Sequence, residues 1–388
     1  MRYVDSILGS LLKPINRRWF DGVVERHAGN AYDKSFDSWT HLVALVCTQF
    51  GRIESLRGLE SVWKANAHQH YHLGVSSKLA RSTVADANQR RPVAIFNELF
   101  EMLSGLADRT LRREGGEMVR LLDSTPVPLG KLFNWPKWNG RIRGLKLHLV
   151  YDPKADNPMQ IAVTQANVND VEIGRQIPLE PGFTYVFDKA YCFYRWWIRI
   201  HQAGAKFVTR MKTSARFKAV RWLPLKKRKG DGFTVIDDAE VRLVSKGDSK
   251  LPIPMRRIRV KRDDGAKLTL LTNDFERSAV EIAALYKMRW QIELLFRWIK
   301  QHLKIKKFLG HNENAVRLQI VAAMIAYLLL RIAARDSRIK MPAIRFAELV
   351  AERLFLRKTI ARIDKPPEIH PAKARPRYSP DQTEFCYA

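Results

Sequence analysis

MVRLLDST, residues 118–125, is an apolar, β-prone stretch that ends in an acid, and it opens the part of the chain that decides the fold. Four further β-prone segments follow, LKLHLVYD (145–152), MQIAVTQA (159–166), FTYVFD (183–188) and AKFVTRMK (205–212). A helix-like stretch, 191–202, separates the last two. Three adjacent strands followed by a strand–helix–strand crossover predict an α/β protein, a mixed sheet with helices on its faces.

The chain around these strands divides by composition into segments of different predicted structure. We expect a helical N-terminal DNA-binding domain over 1–110, the first part of an α/β core over 111–211, a β-rich insertion over 212–275, core helices over 276–340, and a C-terminal helix with a disordered tail over 341–388. Within the core helices, one long helix is predicted over 278–302. The longest apolar run, 320–330, is too short to cross a bilayer and predicts a buried helix.

The charge of the chain indicates a polyanionic partner. Its 68 Lys and Arg residues against 39 Asp and Glu leave a net charge of +29, which favours nucleic acid through long-range attraction and counterion release. An anionic membrane surface is the competing partner, but no short basic amphipathic anchor stands out. Three scattered cysteines form neither a disulfide framework nor a zinc motif, and the N-terminus lacks the pattern of a signal peptide. A cytoplasmic protein is therefore expected.

A second informative stretch is YKMRWQIELLFRWIK, residues 286–300. On a helix, Tyr286, Arg289, Glu293 and Lys300 fall within about 60° of one another, and Arg297 lies close to the same stripe. One acid in a row of bases suits a helix that holds a metal ion beside a polyanion. A solvated face with an i,i+4 ion pair explains the pattern equally well.

Acidic residues also stand at matching places in the predicted sheet. Asp123 closes one apolar strand and Asp188 closes another, and ligands gather at the carboxyl ends of such strands. Together with Glu293, these acids can hold two Mg²⁺ ions roughly 4 Å apart for in-line phosphoryl transfer. Taken alone, Asp123 is also explained as a turn or cap acid, and Asp188 as the partner of Lys189 in a surface ion pair.

Two other acids compete as ligands, and one other segment competes as a DNA contact. Asp152 precedes a proline in a turn, and Asp170 stands where it can cap a helix. The segment SKLARSTVADANQRRP, 77–92, resembles the basic helix of a helix-turn-helix, which would turn three side chains towards DNA, namely Asn88, Arg90 and Arg91. An ordinary helical bundle is the alternative for this segment.

The chain resembles a DDE transposase of the insertion-sequence-four family over roughly residues 20–360. The family's third motif, Tyr-x2-Arg-x3-Glu-x6-Lys, is complete as Tyr286, Arg289, Glu293 and Lys300. The contexts of the other two acids, LLDST and VFDKAYCF, are also similar. Where the second motif often carries arginine, this chain has Lys189, which keeps the charge but loses the bidentate fork.

The resemblance implies a ribonuclease-H-like catalytic core interrupted by a β-rich insertion. It implies Mg²⁺ as cofactor, with Mn²⁺ as a substitute and two ions per active site, and a homodimer that cuts and pastes DNA at paired terminal inverted repeats. By this resemblance, Asp123, Asp188 and Glu293 are the metal ligands. Tyr286, Arg289 and Lys300 contact DNA phosphates.

Some members of the family use an aromatic residue of the insertion to hold a flipped base. Trp222 is the candidate here, with packing between strands as the stronger explanation. Two other functions remain open from the sequence. One is a non-catalytic DNA-binding regulator derived from a transposase, and the other is a metal-dependent nuclease that cuts without joining.

Overall fold

The computed structural model describes residues 5–366, except 32, 34, 52, 113–117, 213, 214, 216, 244–251, 304 and 306. The tail that was predicted to be disordered lies almost entirely outside these residues. The helices are α1 Ile7–Leu12, α2 Arg17–Arg26, α3 Ser38–Phe50, α4 Leu56–Ala65, α5 His70–Leu73, α6 Arg81–Arg90, α7 Val93–Arg112, α8 Asp170–Gly174, α9 Tyr194–Gln202, α10 Ala279–Met288, α11 Trp290–His302, α12 Glu313–Asp336 and α13 Ala343–Arg353. The strands are β1 Val119–Pro128, β2 Gly144–Asp152, β3 Asn157–Gln165, β4 Thr184–Phe187, β5 Lys206–Arg210, β6 Phe217–Trp222, β7 Lys229–Gly230, β8 Phe233–Leu243, β9 Met255–Arg262 and β10 Lys267–Thr272.

One large mixed sheet forms the centre of the molecule, with the strand order β3-β2-β1-β4-β5-β10-β9-β8-β6 and β7 beside β8. The first three strands pair antiparallel, whereas β4 and β5 run parallel to β1. The crossover from β4 to β5 passes through α9, whose Trp196 and Trp197 are buried against one face of the sheet. This half of the sheet has the order and directions expected of a ribonuclease-H-like core. The predicted fold class is confirmed.

The β-rich insertion continues the core sheet instead of forming a sheet of its own. Strand β10 pairs antiparallel with β5, and β9, β8 and β6 follow outward. Strand β8 runs as one strand through the polar residues 237–238, with a register shift between Val235 and Asp237. The shift absorbs an extra residue, so the polar break in the sequence is a bulge and not a turn.

Helix α12 is the central helix of the other layer. It packs against β3 and against four helices of the N-terminal part, α1, α3, α6 and α7. The predicted burial of 320–330 is confirmed. Among the described residues, α12 alone is long and apolar enough to span a membrane, but 89% of its most apolar window is buried inside the protein. Such a profile is typical of a core helix in a soluble fold.

The helix predicted over 278–302 is divided at Arg289 into α10 and α11. The N–H of Arg289 donates to the carbonyl of Tyr286, and the N–H of Ile292 donates to the carbonyl of Arg289, both over three residues. Such tighter turns interrupt the i→i−4 ladder and rotate the following helix. Ser278 starts α10 with a capping box that includes Glu281. The C-terminal helix expected within 341–388 is α13, which ends at Arg353.

Candidate active site

Asp123 and Asp188 meet where the parallel pairing of β1 with β4 ends. Leu122 and Phe187 are the last paired residues of the two strands, so the acids that follow them are neighbours across the sheet. Strand β1 continues past Asp123 to Pro128 through its pairing with β2, so Asp123 lies within a strand and does not close one. The register confirms that the two acids lie side by side at the carboxyl end of the paired segments of β1 and β4.

The third acid comes from α11, which packs against β1. Arg289 joins Glu293 to Asp123: its Nη1 donates to Oδ2 of Asp123 at 2.7 Å, and its Nη2 donates to Oε1 of Glu293. One guanidinium therefore spans two of the three predicted metal ligands. All three side chains are partly shielded from solvent, with exposed fractions of 16% for Arg289, 18% for Asp123 and 31% for Glu293.

Asp188 is held by two further side chains. The hydroxyl of Tyr286 donates to its Oδ1 at 3.3 Å, and Nε of Arg210 lies 3.5 Å from the same oxygen. Burial raises the pKa of Tyr286 to about 12, with Arg289 opposing the shift, so the phenol stays a donor at neutral pH. Arg210 ends β5, the strand next to β4. Sequence reasoning missed Arg210, although its place at the carboxyl end of a predicted strand was a usable signal.

The protonation of Asp123 is set by burial. Burial raises the pKa of Asp123 to about 6, against the opposing effect of Arg289 and of the N–H of Ser124. Glu293 and Asp188 raise it further by repulsion, which places all three carboxylates in one electrostatic neighbourhood. The raised pKa means that the ionised carboxylate is destabilised, and a bound cation would stabilise it.

Of the two remaining residues of the predicted stripe, Lys300 lies at the site and Arg297 faces solvent. Nζ of Lys300 donates to Oγ1 of Thr125 at 2.5 Å, two residues beyond Asp123 on β1. Arg297 is exposed and lies over the ring of Trp290 at 5.9 Å, away from the acids. The stripe geometry therefore correctly joined Tyr286, Arg289, Glu293 and Lys300. Arg297, which was expected close to the same stripe, contacts Trp290 instead.

The donor set fits a hard divalent cation, since three carboxylates supply only oxygen ligands. A cationic guanidinium already lies between two of them, which shows that this position favours positive charge. In the described part of the chain, no three His, Cys, Asp or Glu side chains are close enough, as they stand, to hold an ion together. To share an ion, the three carboxylates would therefore have to come closer together, and Arg289 would have to leave its position between Asp123 and Glu293.

Two other acids that competed as ligands are engaged elsewhere. Asp152 is buried in an ion pair with Arg120. Asp170 is not the cap of α8, because Asn169 holds that position and accepts from the N–H of Val171 at 3.3 Å. The carboxylate of Asp170 instead accepts from the hydroxyl of Ser124.

The prediction that the basic helix turns Asn88 and Arg91 towards DNA is wrong. Each is only 3% exposed. Asn88 Oδ1 lies 2.8 Å from Nε2 of the buried His41, and Arg91 donates to the carbonyls of Gly29 and Phe36. These two polar side chains form hydrogen bonds inside the helical bundle, which fits the alternative of an ordinary bundle. Arg90 is exposed, so its contact with DNA stays a prediction.

Lys189 and Trp222 are exposed, and their contacts with DNA stay predictions. Trp222 is 61% exposed on the edge strand β6, and the guanidinium of Arg257 lies 5.5 Å from its ring. The alternative explanation, that Trp222 packs between strands, is therefore wrong. Five strand spacings separate β6 from β4, roughly 24 Å at about 4.8 Å each. Within one protomer, Trp222 is therefore too far away to hold a base beside Asp188.

A cavity of about 690 Å³ lies between the insertion and α10, and it reaches the start of α11. Phe233, Val260 and Leu268 line it from the insertion, and it reaches Tyr286 and Arg289 on the other side. The insertion strands form this wall because they extend past the end of β5, whose last residue Arg210 pairs with Leu270 in the middle of β10.

Residues 114–329 match the family described as the transposase DDE domain, and this match covers more than half of the chain. The chain belongs to this family, as the resemblance in the sequence indicated. Residues 4–76 match a second family, described only as a domain of unknown function.

Two relatives are transposases by name. The chain is 63% identical to "Putative transposase y4zB" of Sinorhizobium fredii over 304 residues, which are 78% of this chain and 85% of the relative. It is 31% identical to "Probable transposase for insertion sequence element IS5377" of Geobacillus stearothermophilus, over 64% of this chain and 66% of the relative.

A solved structure extends the comparison. The cryo-EM structure of the piggyBac transposase synaptic complex with hairpin DNA matches 95% of this chain and 84% of its own, at 11% identity and a TM-score of 0.47. The fold assignment rests on the strand order of this chain and not on so distant a likeness.

Proposed function

We propose that this transposase binds the terminal inverted repeats of a bacterial insertion sequence and catalyses metal-dependent DNA cleavage and strand transfer with Asp123, Asp188 and Glu293. The single observation that carries the proposal is the convergence of these acids from β1, β4 and α11 around Arg289 and Tyr286. Two Mg²⁺ or Mn²⁺ ions held there would supply an activated water or 3′-hydroxyl and a stabilised leaving oxygen.

The residues around the acids have complementary roles in this proposal. Arg289 has two carboxylates as partners in the free protein, and a DNA phosphate offers the same guanidinium an equivalent bidentate partner. Its transfer to phosphate would release Asp123 and Glu293 for metal. Lys300 and Tyr286 place two further hydrogen-bond donors beside the acids. Lys300 donates to Thr125, and Tyr286 donates to Asp188.

The assembly and location follow from the chemistry of transposition and the charge of the chain. Joining two ends requires two active sites on paired repeats, so we propose a homodimer in the DNA-bound state, with target DNA as a further partner. A net charge of +29 supports a protein held on the nucleoid in the cytoplasm.

The test is incubation of the full chain with Mg²⁺, a target plasmid and linear DNA carrying the ends that flank its gene. Joined products are expected. Cuts without joining would identify a nuclease instead, and binding without cuts would identify a regulator.

A matched variant tests the acids directly. Glu293→Gln removes one negative charge at constant size, and we expect it to abolish cleavage while DNA binding, measured by mobility shift without metal, stays within about twofold of the wild type. Cleavage at the normal rate by this variant would exclude the metal model. Glu313→Gln, a change at a surface position of α12, is the control and is expected to cut normally.

A further inference from the structure

Three consecutive residues of β1 are held by three different contacts from outside the strand. Asp123 accepts from Arg289, Ser124 donates to Asp170, and Thr125 accepts from Lys300. Arg289 and Lys300 belong to the family motif and to the site already described. Asp170 does not, and its contact with Ser124 is the only one of the three on the other side of β1, because side chains alternate along a strand.

Asp170 is built into this place by its own partners. Its Oδ1 accepts from Ser124 Oγ at 2.8 Å and from Lys146 Nζ at 3.0 Å, and Nδ1 of His148 lies 3.5 Å away. The side chains of Asp170 and Lys146 are each 16% exposed. Lys146 also donates to the carbonyl of Val168 at 2.9 Å, just before α8. Asn169 caps α8, so the helix does not need the Asp170 carboxylate for its own start.

Ser124 links this cluster to the candidate metal ligand. The N–H of Ser124 donates to Oδ1 of Asp123 at 2.8 Å, which leaves Oδ2 directed at Arg289. The hydroxyl of the same residue is fixed by Asp170. Ser124, whose backbone is paired with β2, is therefore bonded to Asp123 through its N–H and to Asp170 through its hydroxyl.

We propose that Asp170, with Lys146 as its counter-ion, is a positioning residue that holds the Asp123 carboxylate in the orientation needed to share a metal ion with Asp188. It acts through Ser124. This inference rests on the proposed function, because it assumes that Asp123 binds metal. Residues that orient a metal ligand in this way typically change metal affinity by about 10–100-fold when they are removed.

The experiment compares Asp170→Ala and Ser124→Ala with Glu172→Ala, a control on the exposed side of α8. Mn²⁺ binding to the full chain without DNA is followed by electron paramagnetic resonance, and the Mg²⁺ concentration for half-maximal cleavage is measured separately. We expect both test variants to weaken Mn²⁺ binding and to raise the Mg²⁺ requirement about tenfold, with cleavage recovered at high Mg²⁺. The double variant should be no worse than either single one, because the two residues act in series.

Asp170→Asn serves where the alanine variant does not fold. It keeps the size and an acceptor for Ser124 but loses the charge that pairs with Lys146, so a smaller shift in the same direction is expected. Unchanged Mn²⁺ affinity and Mg²⁺ requirement in Asp170→Ala or Asp170→Asn, with weakened Mn²⁺ binding in Glu293→Gln, would overturn the positioning role and leave the proposed function intact. Unchanged Mn²⁺ binding in Glu293→Gln itself would overturn both.

Discussion

At the scale of single residues, Arg289 controls the state of the candidate site in the free protein. Its guanidinium pairs with both Asp123 and Glu293. It thereby offsets the repulsion between these two acids, which is strong because both are partly shielded from water. Burial alone would lower the pKa of Arg289, but Asp123, Tyr286 and Glu293 together raise it above its ordinary value, so the group remains a cation at every relevant pH. In the proposed function, a divalent metal that binds both acids would have to displace this guanidinium.

Arg289→Gln should therefore strengthen Mn²⁺ binding in the absence of DNA, on the order of tenfold at pH 8, because the competing charge is removed at constant approximate size. The same variant should bind element ends more weakly. Isothermal titration with Mn²⁺ and a mobility shift with DNA measure the two effects. Arg297→Gln, which removes an exposed charge from the same helix, is the control and should leave Mn²⁺ binding unchanged.

Metal binding at Asp123 should depend on pH. Burial holds the pKa of Asp123 at about 6, above its ordinary value, so metal must compete with a proton below pH 6. Metal affinity of the wild type is thus expected to fall as pH decreases through 6. An affinity that stays constant between pH 5 and 8, or an Arg289→Gln variant that binds Mn²⁺ more weakly, would contradict the role assigned to this arginine.

At the scale of elements, the insertion is tied to the start of α10, the helix that carries Tyr286. Arg256 of β9 makes a bidentate pair with Asp238 of β8, with bonds of 2.9 and 2.6 Å. Its remaining donor, Nη1, bonds to the carbonyls of Asp274 and Arg277 at 3.0 and 2.6 Å. Arg256 is 5% exposed and Asp238 2%, so this pair is fully removed from water.

Arg256→Met should lower the free energy of unfolding by about 3–5 kcal/mol, because it leaves the Asp238 carboxylate buried without its partner. Urea denaturation monitored by tryptophan fluorescence measures the loss. Arg259→Met breaks a pair with Asp237 on the same strands, but Arg259 is 48% exposed, so less than about 1 kcal/mol is expected. Equal losses in the two variants would show that the burial of Arg256 is not what matters.

At the scale of the whole molecule, the N-terminal helices and the catalytic sheet share one hydrophobic core. The same cluster of buried side chains includes Leu42 of α3, Phe96 of α7, Leu121 of β1 and Leu329 of α12. The N–H groups of Ile7 and Leu8 at the start of α1 donate to carbonyls at the end of α13 and just beyond it, so both ends of the described chain close on this core. The segment predicted as a separate N-terminal domain therefore packs as part of the same body.

Leu329→Ala should destabilise the whole molecule by about 2–5 kcal/mol, because Leu329 is fully buried and the change leaves a cavity in α12. Hydrogen exchange should show the amides of α3 and β1 losing protection together. Ile344→Ala, at an exposed position of α13, is expected to change stability by less than about 0.5 kcal/mol. Loss of protection in the sheet alone would show instead that the helical part folds independently.

The candidate site was predictable where its geometry is local. Periodicity placed Tyr286, Arg289, Glu293 and Lys300 on one stripe, and strand ends placed Asp123 and Asp188 at one edge. The break at Arg289 could not be read from the same periodicity, because tighter turns depend on where the side chain finds its partner. Burial of Asn88 and Arg91 was equally hidden, since a basic helix has the same composition whether its polar groups face solvent or close a bundle.

The sequence by itself determined the family, the mixed sheet, the three acids and the excess of positive charge, because these follow from residue type, periodicity and short spacing. Only the tertiary structure decided that Arg289 bridges Asp123 and Glu293, that the insertion extends the core sheet, and that Asp170 accepts a hydrogen bond from Ser124. Apart from the bond between Arg289 and Glu293, which are four residues apart, these contacts join positions far apart in the chain; Arg289 and Asp123 are separated by 166 residues. Such pairings depend on how whole elements pack, and no local pattern encodes them.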